Sequence, residues 1–119
     1  EMLRALSRDP LVIKETRIDT IYGLSNLMDR ALAAAPALSS RALILYGKND
    51  EVIPEDPVRR MIESLPAAGR QQRRLAYYDN GFHMLLRDLQ GETVWRDIVA
   101  WIEDAEAPLP SGADARFAP

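Results

Sequence analysis

The sequence has no cysteine and only one histidine, and it has neither a long apolar run nor a concentrated patch of basic residues. Without cysteine it can form no disulfide bond and no thiolate metal site, an absence that suits a cytoplasmic or a secreted protein. No stretch approaches the roughly 18 apolar residues of a membrane span, and residues 1–10 lack the apolar core of a signal peptide. The basic residues are scattered and the net charge is -3, unlike a nucleic-acid-binding surface. We therefore expect a cytoplasmic protein with no transmembrane segment and no nucleic-acid partner.

The stretch from Arg41 to Pro54, RALILYGKNDEVIP, carries the clearest structural signal. Within it, Ala42–Tyr46 form an apolar run without alternation, and Gly47 ends that run. Such a run favours a strand buried on both faces of a parallel sheet; a buried helix segment is the alternative, but it would need more length before the glycine. Catalytic groups in such sheets lie beyond the carboxyl ends of strands. Asp50 is therefore either a catalytic residue or a simple turn aspartate.

A long helix is predicted before this strand, over about Arg17–Ala35. Thr16 is its predicted N-cap with Asp19 as the capping-box partner, and Pro36 ends it. Its apolar side chains recur at helical spacing, which predicts packing against a core or a lid. Its mixed charges make a membrane-surface helix the weaker alternative. The apolar side chains are Ile18, Ile21, Tyr22, Met28 and Leu32.

Two helices and a second strand are predicted after the apolar run. Asp56 is the predicted N-cap of the first helix, with Pro57 as its first residue, and a strand follows at Leu75–Tyr78. The second helix is predicted over Glu92–Asp104. From Ala105 onward the sequence lacks periodicity, which predicts a disordered tail. The predicted inward faces are Val58, Met61, Ile62 and Leu65 in the first helix, and Val94, Ile98, Trp101 and Ile102 in the second.

The only histidine, His83, follows the second predicted strand as Asp50 follows the first. Neighbouring parallel strands lie about 4.8 Å apart, so short loops at their ends can bring a carboxylate to an imidazole. An aspartate that accepts a hydrogen bond from Nδ1 leaves Nε2 free to act as a base. A lone histidine is more often a structural residue satisfied within its turn. The paired placement after consecutive strands nevertheless favours a catalytic Asp50–His83 pair.

The segments LILYGKNDEVIP and YYDNGFHMLLRD resemble the C-terminal part of an α/β-hydrolase, in particular the monoacylglycerol lipase and lysophospholipase group. In that group the triad acid lies in a Gly-x-x-Asp-x-x-x-Pro pattern, which Gly47, Asp50 and Pro54 match. The triad histidine lies in a Gly-x-His pattern, which Gly81 and His83 match.

The resemblance implies an α/β fold: the C-terminal βαβα portion of a hydrolase core, with its last two parallel strands and flanking helices, preceded by lid helices. It assigns residues 1–38 to the end of the lid and residues 39–104 to the core. Residues 105–119 are the predicted disordered tail.

The same resemblance implies a serine hydrolase that cleaves a small-molecule or lipid carboxylic ester and needs no metal or organic cofactor. Asp50 would orient His83, which would act as the base. Two alternatives remain open, namely a non-catalytic helical module that binds a partner, and an amidase or haloperoxidase-like enzyme of the same fold. The residues predicted to line an acyl pocket are Met84, Leu85, Leu24, Leu27 and Met28.

The sequence departs from the group in one important respect: it contains no Gly-x-Ser-x-Gly motif, which carries the nucleophile of these hydrolases. We therefore expect a fragment that begins within the lid, carries the triad acid and histidine, and is inactive alone. The strand that would pair with Ala42–Tyr46 on its other side is also missing. An unpaired apolar edge recruits other chains, so we expect a homo-oligomer or association with the missing hydrolase body.

Overall fold

The computed structural model describes residues 4, 7–13 and 15–114. From residue 15 to residue 114, three helices and two strands alternate along the chain, and 3₁₀ turns lie in three of the four connections. In order, the elements are α1 (Ile18–Ala34), a 3₁₀ turn (Ala35–Ala37), β1 (Ala42–Gly47), α2 (Glu55–Ser64), a 3₁₀ turn (Arg70–Gln72), β2 (Arg73–Tyr78), a 3₁₀ turn (Leu85–Arg87) and α3 (Gly91–Glu103).

Strands β1 and β2 form a parallel two-stranded sheet, in register from Ala42 beside Arg73 to Gly47 beside Tyr78. Both predicted strands are confirmed, although β2 begins two residues earlier than predicted. The parallel pairing brings both carboxyl ends to one edge of the sheet. The loops that follow the two strands therefore start side by side.

The predicted starts of two helices are wrong. The N-cap of α1 is Arg17 rather than Thr16, because the Arg17 guanidinium pairs with the Asp19 carboxylate at 2.8 Å and the capping box does not form. Helix α2 begins at Glu55, with Pro54 as its N-cap. Pro57 is thus its third residue rather than its first, where a missing N–H still costs no intrahelical hydrogen bond.

The predicted disordered tail is also wrong for residues 105–114, while residues 115–119 lie outside the described part of the chain. Leu109 and Ala113 pack on Ala76 of β2 and form the buried core of this face of the sheet. Arg74 binds the Asp114 carboxylate at 2.9 Å. The segment lacks periodicity because isolated side chains, rather than a helical or strand face, hold it to the sheet.

Helix α3 anchors the same segment through a buried carboxylate. Asp97 is 0% exposed and accepts hydrogen bonds from the Tyr78 hydroxyl at 2.8 Å, the Ser111 N–H at 3.0 Å and the Ser111 hydroxyl. Val94 is buried beside it as predicted, but Ile102 is 70% exposed and was wrongly placed on the inward face. Asp97 occupies a position on that face which a count of apolar residues alone would not assign.

Helix α1 buries none of its residues in the described structure. The predicted packing of its apolar stripe is therefore absent from this part of the chain, and the large side chains are 38–86% exposed. No helix among the described residues is long and apolar enough to cross a bilayer. The exposed side chains are Ile18, Ile21, Tyr22, Leu24, Leu27, Met28 and Leu32.

Candidate active site

The loops after β1 and β2 cross in direct contact at Gly47. A Cβ atom placed on Gly47 would lie 2.6 Å from the carbonyl carbon and oxygen of Gly81, so this position has no room for a side chain. Two hydrogen bonds hold the first loop to the end of β2 and to the loop after it: the Lys48 N–H donates to the Tyr78 carbonyl at 2.9 Å, and the Asn49 N–H donates to the Gly81 carbonyl at 2.9 Å. The relative position of the two loops is fixed by backbone contacts, before any functional side chain is considered.

Asp50 lies in the first loop with a side chain only 8% exposed. Its Oδ1 accepts hydrogen bonds from the N–H groups of Val52 at 2.8 Å and Ile53 at 2.9 Å, which turns Oδ2 toward the second loop. Burial alone would raise the pKa of Asp50, but the hydrogen bonds from Ile53, His83 and Val52 outweigh it and hold the pKa below the ordinary value of an aspartate. The group is therefore an ionised carboxylate at neutral pH.

His83 lies in the second loop, and its Nδ1 is 2.9 Å from Oδ2 of Asp50. An ionised carboxylate can only accept hydrogen bonds, so Nδ1 carries a proton and the Nδ1–H group donates a hydrogen bond to Asp50. The side chain of His83 is 42% exposed, in contrast to the buried carboxylate behind it. No residue in the described ranges is hydrogen-bonded to Nε2, which leaves that atom available to a reacting group.

The second loop is held at its far end by Asp88. One oxygen of this carboxylate accepts the Phe82 N–H at 2.8 Å, and the other accepts the Leu89 N–H at 2.7 Å. The Trp95 indole of α3 donates to the Leu86 carbonyl at 3.0 Å. These bonds close the loop around His83 from the residue before it to the start of α3.

Sequence reasoning did not identify Tyr46 or Asp88 as part of this arrangement. Tyr46 reads as one more residue of an apolar strand, yet its hydroxyl donates to the Ile53 carbonyl at 2.9 Å. Asp88 lies two residues before Gln90, the N-cap of α3, and α3 has no side-chain cap, so the capping rules give no signal for this residue.

The residues predicted to line an acyl pocket do not share one cavity. Met28 lines a groove of about 850 Å³ between α1 and α2, where Ile53, Val58 and Met61 also lie. Met84, by contrast, lies 38% exposed in the His83 loop, and Leu24 is exposed on α1. Leu85 packs over Gly81, where its Cδ2 would be 2.5 Å from an added Cβ.

The arrangement has the components of an acid–base relay: a buried carboxylate, an imidazole with a fixed tautomer, and an accessible Nε2. Residues 1–90 match the model of the family described as serine aminopeptidase, S33. That span is most of the chain, and it includes both strands, Asp50 and His83. The helices and parallel strands described above agree with part of an α/β-hydrolase fold. The chain therefore belongs to this α/β-hydrolase family.

Proposed function

We propose that the chain supplies the acid and the base of the catalytic triad in a serine hydrolase. The observation that carries this proposal is the 2.9 Å hydrogen bond between Nδ1 of His83 and the ionised carboxylate of Asp50. The bond holds the imidazole in the tautomer that a general base requires. The alternative of a non-catalytic helical module gives no reason for a buried carboxylate to be aimed at the single histidine.

In this mechanism Nε2 of His83 accepts the proton of a serine hydroxyl as that serine attacks the carbonyl carbon of the substrate. The resulting imidazolium is stabilised by Asp50 and gives its proton to the leaving group. His83 then takes a proton from water, which attacks the acyl-enzyme, and returns the proton to the serine. Asp50 remains ionised throughout, as the hydrogen bonds to its carboxylate favour.

The proposed substrate is a carboxylic ester of a small molecule or lipid, as the resemblance to monoacylglycerol lipases and lysophospholipases implies. Met84 beside His83 would contact the acyl chain, and Leu85, Leu24 and Met28 are the other proposed contacts. A second candidate is the hydrolysis of an amide bond, because the description of the matching family names a serine aminopeptidase. An ester and an amide differ in the leaving group that His83 must protonate, so paired substrates separate the two candidates.

The nucleophile is proposed to lie outside these 119 residues, because no serine here is flanked by the glycines of a nucleophile elbow. The serine-bearing body would pair with the free edge of β1 and cover α1. The chain would then be the part of the enzyme that carries the acid and base, and would have no turnover alone. A second copy of this chain is the alternative cover for the same surfaces.

The experiment compares the chain alone with the chain joined to the segment encoded directly upstream of it. Each is assayed with a short-chain p-nitrophenyl ester and with an aminoacyl p-nitroanilide. We expect no turnover from the chain alone and ester hydrolysis from the joined protein. His83→Ala should reduce the turnover of the joined protein on the order of 10⁶-fold, and Asp50→Asn about 10⁴-fold.

Ser64→Ala is the matched control, because this hydroxyl donates to the Met61 carbonyl within α2 and is separate from the site. Its turnover should equal that of the parent protein. Ester hydrolysis that survives His83→Ala would contradict the proposal. Faster turnover of the anilide than of the ester would favour the amide candidate instead.

A further inference from the structure

The hydroxyl of Tyr46 joins the end of β1 to the far end of the Asp50 loop. Tyr46 is 7% exposed, and it is the last residue of β1 before Gly47. Its hydroxyl donates to the carbonyl of Ile53 at 2.9 Å, seven residues further along the chain. The bond therefore spans the whole turn that contains Asp50.

Ile53 connects this bond to the carboxylate. The carbonyl of Ile53 accepts from Tyr46, and the N–H of the same residue donates to Oδ1 of Asp50 at 2.9 Å. Oδ2 of the same carboxylate accepts from Nδ1 of His83 at 2.9 Å. One continuous path of hydrogen bonds thus runs from the Tyr46 hydroxyl through Ile53 and Asp50 to His83.

The Tyr46 hydroxyl is held in the donating form. Burial, followed by the nearby carboxylates of Asp50 and Glu55, raises the pKa of Tyr46 above the ordinary value of a tyrosine. The ring also packs on Tyr77, with centroids 5.6 Å apart, and the two residues are register partners in the sheet. The ring is therefore fixed by the strands, and the hydroxyl transmits that fixed position to the loop.

We propose that Tyr46 is a positioning residue for the Asp50 carboxylate, acting through Ile53 to keep Oδ2 aligned with Nδ1 of His83. This inference rests on the proposed function, in which the alignment sets the tautomer of the base. It assigns Tyr46 a positioning role that is not evident from its place in an apolar strand. Its direct consequence is that the tautomer of His83 depends on a hydroxyl that makes no contact with the imidazole.

The test uses the single histidine of the chain, which gives one unambiguous set of imidazole nitrogen signals. Nitrogen-15 NMR at about pH 8.5, where an ordinary imidazole is neutral, measures the ratio of the Nδ1–H to the Nε2–H tautomer. Tyr46→Phe keeps the ring and its contact with Tyr77 but removes the donor to Ile53. We expect the ratio to fall about fivefold, the usual effect of losing one hydrogen bond. Asp50→Ala removes the carboxylate altogether and therefore gives the tautomer ratio of His83 without its hydrogen-bond acceptor.

Tyr77→Phe is the matched control. It removes the hydroxyl from the partner ring, and that hydroxyl donates to the Glu55 carboxylate at 3.2 Å. Its tautomer ratio should equal that of the parent chain. A second variant carries 4-aminophenylalanine at position 46, which restores an N–H donor and should recover most of the ratio. If Tyr46→Phe does not fold, a variant with 4-fluorophenylalanine at position 46 takes its place in the comparison. The fluorine fills the space of the hydroxyl but cannot donate a hydrogen bond.

An unchanged ratio in the variant without the donor overturns the inference, and so does an equal fall in Tyr77→Phe, which would indicate a general effect on the sheet. Neither result affects the proposed function, because the parent chain would still show the Nδ1–H tautomer. A parent chain that already shows the Nε2–H tautomer would overturn both, since the Asp50–His83 pair would then be absent. The measurement needs no turnover, so loss of activity for another reason does not change its outcome.

Discussion

Adding one methyl group at Gly47 should damage the candidate site, because backbone atoms of the second loop fill the space that it would enter. The added Cβ would lie 2.6 Å from the Gly81 carbonyl and 2.9 Å from that of Phe82. These neighbours are backbone atoms, which cannot turn aside as a flexible side chain does. To reach an ordinary contact of 3.4 Å, the second loop would have to retreat by about 0.8 Å.

The energetic cost follows from that displacement. Overpacking of this kind costs about 1–3 kcal/mol. The same retreat would stretch the 2.9 Å bond from the Asn49 N–H to the Gly81 carbonyl beyond hydrogen-bond range, at about 1 kcal/mol. We therefore expect Gly47→Ala to lower the free energy of unfolding by about 3 kcal/mol. With a typical slope of about 2 kcal/mol per molar urea, the unfolding midpoint would fall by about 1.5 M.

The assay is urea unfolding followed by circular dichroism, together with the nitrogen-15 spectrum of His83 in the folded protein. Gly47→Ala should lower the midpoint and also weaken the Nδ1–H tautomer, because the two loops carry Asp50 and His83. Gly23→Ala is the matched control, since an added Cβ at Gly23 meets nothing within 4 Å. It should stabilise α1 by about 0.5–1 kcal/mol. A Gly47→Ala variant as stable as the parent, with an unchanged His83 spectrum, would refute the argument.

Three further predictions address other parts of the molecule. Asp97→Ala removes a fully buried carboxylate that accepts three hydrogen bonds and should lower the free energy of unfolding by about 3 kcal/mol. The exposed Glu103→Ala on the same helix should change it by less than about 0.5 kcal/mol, and equal urea midpoints would contradict this. The folded pKa of Asp50 lies below its unfolded value, so the stability it contributes is complete above the unfolded pKa of about 3.9 and is lost as the pH falls through the folded pKa. Below about pH 4, the thermal unfolding midpoint should therefore fall more steeply with decreasing pH in the parent than in Asp50→Asn. Parallel plots of midpoint against pH for the two proteins would contradict this prediction. Finally, light scattering should show the chain alone as an oligomer at micromolar concentration, because the edge of β1 and the apolar side chains of α1 attract other chains; a stable monomer with slow amide exchange in β1 would be incompatible with this.

The sequence predicted the strands well because their signal is local. Five apolar residues ended by a glycine suffice to indicate β1, and the structure extends that strand only to Gly47. Helix starts were predicted poorly because they depend on which of several adjacent polar side chains reaches the backbone. Asp19 pairs with Arg17 instead of closing a capping box, and nothing in their spacing decides between the two outcomes.

The fold of residues 105–114 could not be predicted because its contacts are distant in sequence. Ser111 is held by Asp97, which lies 14 residues before it, and Asp114 is held by Arg74, 40 residues before it. Neither contact leaves a periodic pattern. An acidic residue on the inward face of α3 was the one available sign, because a buried carboxylate requires donors from somewhere in the chain.

The placement of Asp50 and His83 after consecutive parallel strands was enough to predict that their loops meet. The way the carboxylate is held was not predictable. It depends on backbone N–H groups, which are present in every sequence and so give no signal. It also depends on the Tyr46 hydroxyl, which the apolar pattern of the strand does not reveal. The predicted acyl-lining residues were inferred from proximity in sequence and from the resemblance, and they are spread over separate surfaces of the described chain.

The strands with their loops and helix α1 contribute very differently to the orientation of Asp50 and His83. The bonds that orient Asp50 and His83 come from a single short part of the chain, the two strands and their following loops, with one further bond from Trp95 of α3. Helix α1, by comparison, buries no residue against the same sheet. An acid–base pair built from neighbouring loops can be aligned before the nucleophile is present, because its alignment does not depend on the nucleophile. A serine-bearing partner would then meet a base whose tautomer is already set, and the binding energy would be spent on placing the serine rather than on organising the histidine.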